Sequence, residues 1–130
     1  MKRPGNATTK VDRQSKQSDT ASNSGLRIFE LRTYQLKVGV AHQYVSQFEA
    51  KGLPVISQYC DLIGYWIVET GSLNKVVHLW SYESFEHRRD ARARLSRDPA
   101  WRDEYIPLAA QMIVSQDSVI MSAAQFSPLR

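Results

Sequence analysis

Apolar and polar positions alternate with a period of two along several stretches of the chain and recur at three- and four-residue steps between them. Ile28, Glu30, Arg32 and Tyr34 fall on one parity and Phe29, Leu31, Thr33 and Gln35 on the other, which predicts a strand with two unlike faces. Gly39 ends it. Ala41, Tyr44, Val45, Phe48, Gly52 and Ile56 then share one helical stripe, predicting an amphipathic helix over residues 40–59. Gly52-Leu53-Pro54 interrupts this helix with a kink or a restart, because Pro54 has no N–H and crowds the preceding turn. Residues 62–69, rich in Ile, Val, Tyr and Trp, predict a second strand, and Gly71-Ser72-Leu73-Asn74 a turn into a third strand over residues 75–82. Ser84 is suited to cap a helix over residues 85–97, with Glu86 in its first turn. Asp98-Pro99 opens a shorter helix carrying Trp101 and Tyr105. Pro107 ends or bends it, residues 112–121 make a last strand, and a tail follows from Ala123.

This order is that of an α+β, ferredoxin-like split βαβ sandwich, in which strands one and three are central neighbours. Helices cover only one face of such a sheet. Phe29 and Leu31 suit the face under the helices, leaving Glu30, Arg32 and Tyr34 with His78, Trp80 and Tyr82 on the other. That aromatic row is too large to leave in water, so the expected assembly is a homodimer packed sheet against sheet, a dimeric α/β barrel enclosing the row.

A chain of 130 residues suits a single domain, here residues 26–130. Residues 1–25 are rich in Ser, Thr, Asn, Gln and Lys and carry one large aliphatic side chain after the initiator, Val11, so a disordered tail is expected. A transit peptide is the alternative reading of that basic, Ser-rich stretch, against which stand its two acids and its lack of an apolar face. Lys2, Arg3, Lys10, Arg13 and Lys16 against Asp12 and Asp19 place most of the net charge of +4 in the tail, which argues against a nucleic-acid partner for the domain. No apolar run approaches the ~20 residues of a membrane span. The lone Cys60 and the lack of a secretory segment point to a reducing compartment, the cytoplasm.

Several blocks resemble the NIPSNAP family: Glu30-Leu31-Arg32-Thr33-Tyr34 with Leu36-Lys37-Val38-Gly39, then Gly52-Leu53-Pro54, Gly64-Tyr65-Trp66, Gly71-Ser72-Leu73-Asn74, Val77-His78-Leu79-Trp80, Asp98-Pro99-Ala100-Trp101 and the closing Ser127-Pro128-Leu129. The resemblance covers about residues 28–130. It implies a dimeric α/β barrel built of two ferredoxin-like sheets, kin to cofactor-independent monooxygenases, haem-degrading enzymes and small isomerases. The family's own activity is mostly undefined, and its animal members resemble mitochondrial matrix proteins tied to quality control and vesicle traffic. A mitochondrial matrix location is therefore the alternative in a eukaryotic host. Val68 stands where a Thr is common, removing a hydroxyl, and Val38 where a Pro is usual.

His78 is the sharpest candidate for chemistry, since imidazole exchanges protons near neutral pH. Glu30 or Arg32 across the sheet is its expected partner, a carboxylate orienting the ring. Arg32 is suited to hold a carboxylate or enolate, Tyr34 and Tyr82 to donate a phenol proton to the same oxygen, and Trp80 and Trp66 to wall the pocket. The plainer alternatives are a structural Glu30–Arg32 ion pair, a satisfied buried histidine, and aromatics that merely pack a dimer interface. Arg88, Arg89, Arg92, Arg94 and Arg97 read as a solvated helix face with Glu86 and Asp90 interspersed, and Trp101 as a plug at the end of the core or at the barrel mouth. His42, His78 and His87 lie too far apart for a ligand set, no Gly-rich phosphate loop is present, and nothing specific supports a haem on His78, so no cofactor is expected. Two functions stand out: a cofactor-independent small-molecule binder or enzyme with oxygenase- or isomerase-like acid–base chemistry, and a non-enzymatic dimeric interaction module.

Overall fold

The computed structural model describes residues 27–130; the expected tail over residues 1–25 lies outside the described residues. The chain runs β1 (Ile28–Leu36), α1 (Ala41–Gln47), a π-helical turn (Phe48–Gly52), α2 (Leu53–Ile56), β2 (Asp61–Ile67), β3 (Lys75–Tyr82), α3 (Phe85–Arg97), a second π-helical turn (Ala100–Tyr105), α4 (Ile106–Ala110) and β4 (Ile113–Met121). The four strands form one sheet in the order β2-β3-β1-β4, every neighbouring pair antiparallel. This is the ferredoxin-like α+β sandwich, with β1 and β3 at its centre.

Local chemistry sets the boundaries. Gly39 takes the left-handed turn conformation (φ +83°) that closes β1. The Ser84 hydroxyl accepts the His87 N–H at 3.0 Å and starts α3. The break expected at Gly52-Leu53-Pro54 takes the form of a π-helical turn: Leu53 donates its N–H to the Phe48 carbonyl five residues back. The stretch around Tyr105-Ile106-Pro107 repeats this, with Ile106 donating to Trp101. In each case a proline follows directly and cannot supply the regular four-residue bond, so the wider turn carries the helix past it.

The faces of the sheet are the reverse of the expectation. Glu30, Tyr34, His78, Trp80 and Tyr82 are buried, and they lie under the helices. The open face instead carries Leu31, Leu79 and Val119, which sit opposite one another across the central strands, together with Trp66 opposite Val77. A sheet–sheet barrel would therefore not enclose the Glu30, Arg32, His78 row. Period-two alternation separates two rows but does not say which one meets the helices. Here the helices bring Tyr44, Phe48 and Tyr105 to the aromatic row, and α3 brings Arg88 to the buried Glu30. Phe29, on the open face, is shielded by the Arg27 guanidinium 5.0 Å from its ring centroid.

Among the described residues no helix is long and apolar enough to cross a membrane.

Candidate functional site

β1 and β3 pair so that Glu30 lies opposite Trp80 and Arg32 opposite His78. The carboxylate of Glu30 is fully engaged. Arg32 Nη1 donates to it at 2.6 Å, Arg88 Nε and Nη2 at 2.9 and 3.0 Å, and the Ser118 hydroxyl at 2.6 Å. Burial alone would raise its pKa, but the bonds from Arg88 and Ser118 and the charge of Arg32 outweigh that and hold it at about 2. Glu30 is thus an anchor. It pins Arg32, whose Nε donates to the Tyr34 hydroxyl at 3.0 Å, and it does not orient His78.

Trp80 orients His78 instead. The two side chains stand two residues apart on the same strand face, and the indole Nε1–H donates to His78 Nδ1 at 2.7 Å. The imidazole stacks on Tyr65, with ring centroids 4.6 Å apart and planes 6° apart, and meets Tyr34 edge-on at 4.7 Å. Burial, reinforced by the charge of Arg32, pushes its pKa down to about 3, so the ring is neutral. A neutral ring whose Nδ1 accepts a hydrogen bond holds its proton on Nε2. Nε2 is buried and has no hydrogen-bond partner among the described residues.

A cavity of about 50 Å³ lies between the sheet and the helices at this point, lined by Arg32, Tyr34, His78, Trp80, Arg92 and Tyr105 among others. The hydroxyls of Tyr65 and Tyr105, which also line it, are buried and make no hydrogen bond of regular geometry among the described residues, though both lie near the Tyr44 hydroxyl. Burial raises the pKa of both phenols, and that of Tyr44 to about 12, so all three hold their protons at neutral pH. Another unpartnered buried atom, Gln47 Oε1, lies outside the cavity. A larger surface hollow of about 220 Å³ beside His42 and Glu69 contains none of these atoms, and both of those residues are exposed.

Of the residues singled out from sequence, Arg32, Tyr34, His78 and Trp80 meet at the cavity, and Glu30 stands behind Arg32. Tyr82 is buried elsewhere, its hydroxyl donating to Cys60 Sγ at 3.4 Å. Trp66 is 52% exposed on the open sheet face, its ring lying over Gly64. Trp101 lines the cavity and packs on Tyr105 at 4.8 Å between centroids. Tyr65, Tyr105 and Arg92 escaped the sequence reading as site residues. The only available cues were the parity of Tyr65 within its strand and the four-residue spacing of Trp101 and Tyr105. The arginines of α3 divide their work: Arg88 binds Glu30, Arg92 reaches the cavity, Arg94 pairs with Asp90 at 3.5 Å, and Arg89 and Arg97 are exposed. Among the described residues no cluster of three His, Cys, Asp or Glu side chains could hold a metal ion.

Residues 29–128 match the family model described as NIPSNAP. Over 93 residues the chain is 33% identical to human Protein NipSnap homolog 3A, a match covering 71% of this chain and 37% of that protein. The chain thus matches well under half the length of this relative. A solved NIPSNAP family protein of unknown function from Agrobacterium tumefaciens superposes with TM-score 0.78 at 34% identity, covering 82% of this chain and 96% of that one. SnoaB, a cofactor-independent oxygenase from Streptomyces nogalater, superposes with TM-score 0.56 at 12% identity over 78% of this chain and 97% of its own, which is a likeness of fold.

Proposed function

The chain belongs to the NIPSNAP family, and from that premise we propose that it is a homodimeric small-molecule-binding protein whose ligand, small and apolar or anionic, sits in the cavity between sheet and helices without a bound cofactor. The observation that carries this reading is that three residues lining one cavity beside Arg32 each hold a buried polar atom, His78 Nε2 and the Tyr65 and Tyr105 hydroxyls, with no hydrogen bond of regular geometry among the described residues, the two phenols lying near that of Tyr44. Leaving a buried polar group unpaired costs about 1–3 kcal/mol, so His78 Nε2, with the poorly paired phenols beside it, suits a site kept for a ligand's polar atoms. Shared fold with an oxygenase does not transfer chemistry.

The proposed homodimer joins the open sheet faces. Val119 and Trp66 there are each 52% exposed and Met121 is 38% exposed, an apolar surface that a second copy would cover. The proposed compartment is the cytoplasm, with the mitochondrial matrix as the alternative in a eukaryotic host; the free, buried Cys60 suits a reducing milieu.

A second reading, a dimeric interaction module without chemistry, is favoured by one observation: Glu30, the carboxylate of the row, is saturated, so it offers no free base. A thermal-shift screen of small metabolites on wild type and His78→Ala separates the two. The binding reading predicts compounds that raise the melting temperature of wild type by several degrees and leave the variant unmoved. Compounds that stabilise both equally, or none that stabilise wild type, would favour the interaction module.

A further inference from the structure

The charged groups around the cavity are of one sign. Two arginines, Arg32 and Arg92, line it, and among the described residues no Asp or Glu does. The nearby carboxylate, Glu30, is already shared between Arg32 and Arg88, and Arg92 makes no ion pair among the described residues, so positive charge is in excess there. The buried atoms there without a hydrogen bond of regular geometry among the described residues are a ring N–H and two phenols. A cation finds no carboxylate among the lining residues and only the Gln116 amide and phenol oxygens to accept its protons, whereas an oxyanion finds donors from several directions.

Trp80 decides the character of His78. Were the indole N–H absent, the ring proton could sit on either nitrogen, and Nε2 could present a lone pair to the cavity. With the indole donating to Nδ1 at 2.7 Å, Nε2 presents a hydrogen. We infer that the helix–sheet cavity takes a small oxyanion of the carboxylate or enolate class, bound by the Nε2–H of His78 with Arg32 and the Tyr65 and Tyr105 hydroxyls, and that Trp80 is the positioning residue that makes His78 a donor. This rests on the reading of the cavity as a ligand site. It replaces the expectation of His78 as a proton acceptor: a nitrogen already carrying hydrogen cannot take a proton from a substrate. The cavity is suited to stabilising negative charge on a ligand oxygen, as an oxyanion site does. Its volume of about 50 Å³ suits a ligand, or the end of one, of a few heavy atoms.

The test uses the full chain with ¹⁵N-labelled histidine, read by long-range ¹H–¹⁵N correlation, and titrated at constant ionic strength with acetate and separately with acetamide, its neutral isostere. The ligand-free protein is expected to show His78 as the Nε2–H tautomer. Acetate should move its Nε2–H signal saturably, with acetamide binding at least tenfold more weakly. Trp80→Phe should abolish the single tautomer and weaken acetate binding about tenfold. An Nδ1–H tautomer in wild type overturns the inference with no variant needed, so it stays testable even if Trp80→Phe does not fold. Acetamide binding as well as acetate overturns the oxyanion class while leaving the ligand cavity standing. If neither probe perturbs His78, while the metabolite screen still yields ligands that need His78, the inference alone fails. If that screen also yields none, the ligand-site reading fails with it.

Discussion

At the scale of single residues, His78 and Glu30 are both held away from their ordinary protonation behaviour, for different reasons. His78 loses proton affinity through burial beside Arg32, with Arg92 adding to the effect and Glu30 opposing it; its pKa falls from 6.5 to about 3. Glu30 falls from 4.5 to about 2 because donors surround it. Both shifts are downward, so the unfolded chain takes up each proton at a higher pH than the folded chain does, and stability rises with pH. The His78 contribution is whole above pH 6.5 and is lost as pH falls toward 3; that of Glu30 is whole above 4.5 and is lost toward 2. Between pH 7 and pH 5 wild type should therefore lose about 2 kcal/mol more than His78→Gln does, measured by urea unfolding. Parallel curves for the two proteins would show that the ring is not held neutral. Glu30→Gln should destabilise at neutral pH by about 3 kcal/mol, because it strands Arg32 and Arg88 beside a neutral amide. A loss below about 1 kcal/mol in the same assay would show that the network is a surface ornament.

At the scale of elements, the two π-helical turns bring the cavity walls together. Gly52 ends the first, and a Cβ built there would come within 2.8 Å of Phe48 Cδ1 and 3.0 Å of Tyr105 Cζ, the latter from the second turn. Gly52→Ala should therefore cost about 1–3 kcal/mol by overpacking and displace the Tyr105 ring. Equilibrium unfolding, with the Tyr105 ring signals in an NMR spectrum, checks both parts; an unchanged stability would mean the turns separate easily. The elements were largely legible in sequence. The third strand and the helix after Ser84 follow the alternation and the cap, and the break near Pro54 follows from its missing N–H. The form of that break did not show, because a widened turn depends on what the helix packs against. The cavity was half legible for a similar reason. Arg32, Tyr34, His78 and Trp80 lie on adjacent strands and share a parity, whereas Tyr65, Tyr105 and Arg92 come from three other elements that only tertiary packing brings to the same place.

At the scale of the whole molecule, the exchange of the two sheet faces matters most. From sequence the aromatic row falls at a dimer interface, because tyrosines, tryptophans and a histidine are too costly to leave in water. Buried under the helices they are covered within one protomer, and Leu31, Leu79 and Val119 take the open face. This moves the dimer prediction to other residues. Val119→Asp should convert a dimeric wild type to a monomer by sedimentation without unfolding it, since Val119 is half exposed. A variant that stays dimeric would remove the open face as the interface. Trp80→Asp, by contrast, should unfold the protomer, because it buries a charge in the core.

Entry of ligands into the cavity between sheet and helices can be read directly from the three tryptophans. Trp80 and Trp101 line the cavity, while Trp66 lies on the open sheet face. In an amide and indole ¹H–¹⁵N spectrum titrated with acetate, the indole signals of Trp80 and Trp101 should move together and saturate while that of Trp66 stays fixed. Movement of Trp66 alone, with Trp80 and Trp101 unchanged, would place binding on the open face and rule out the cavity.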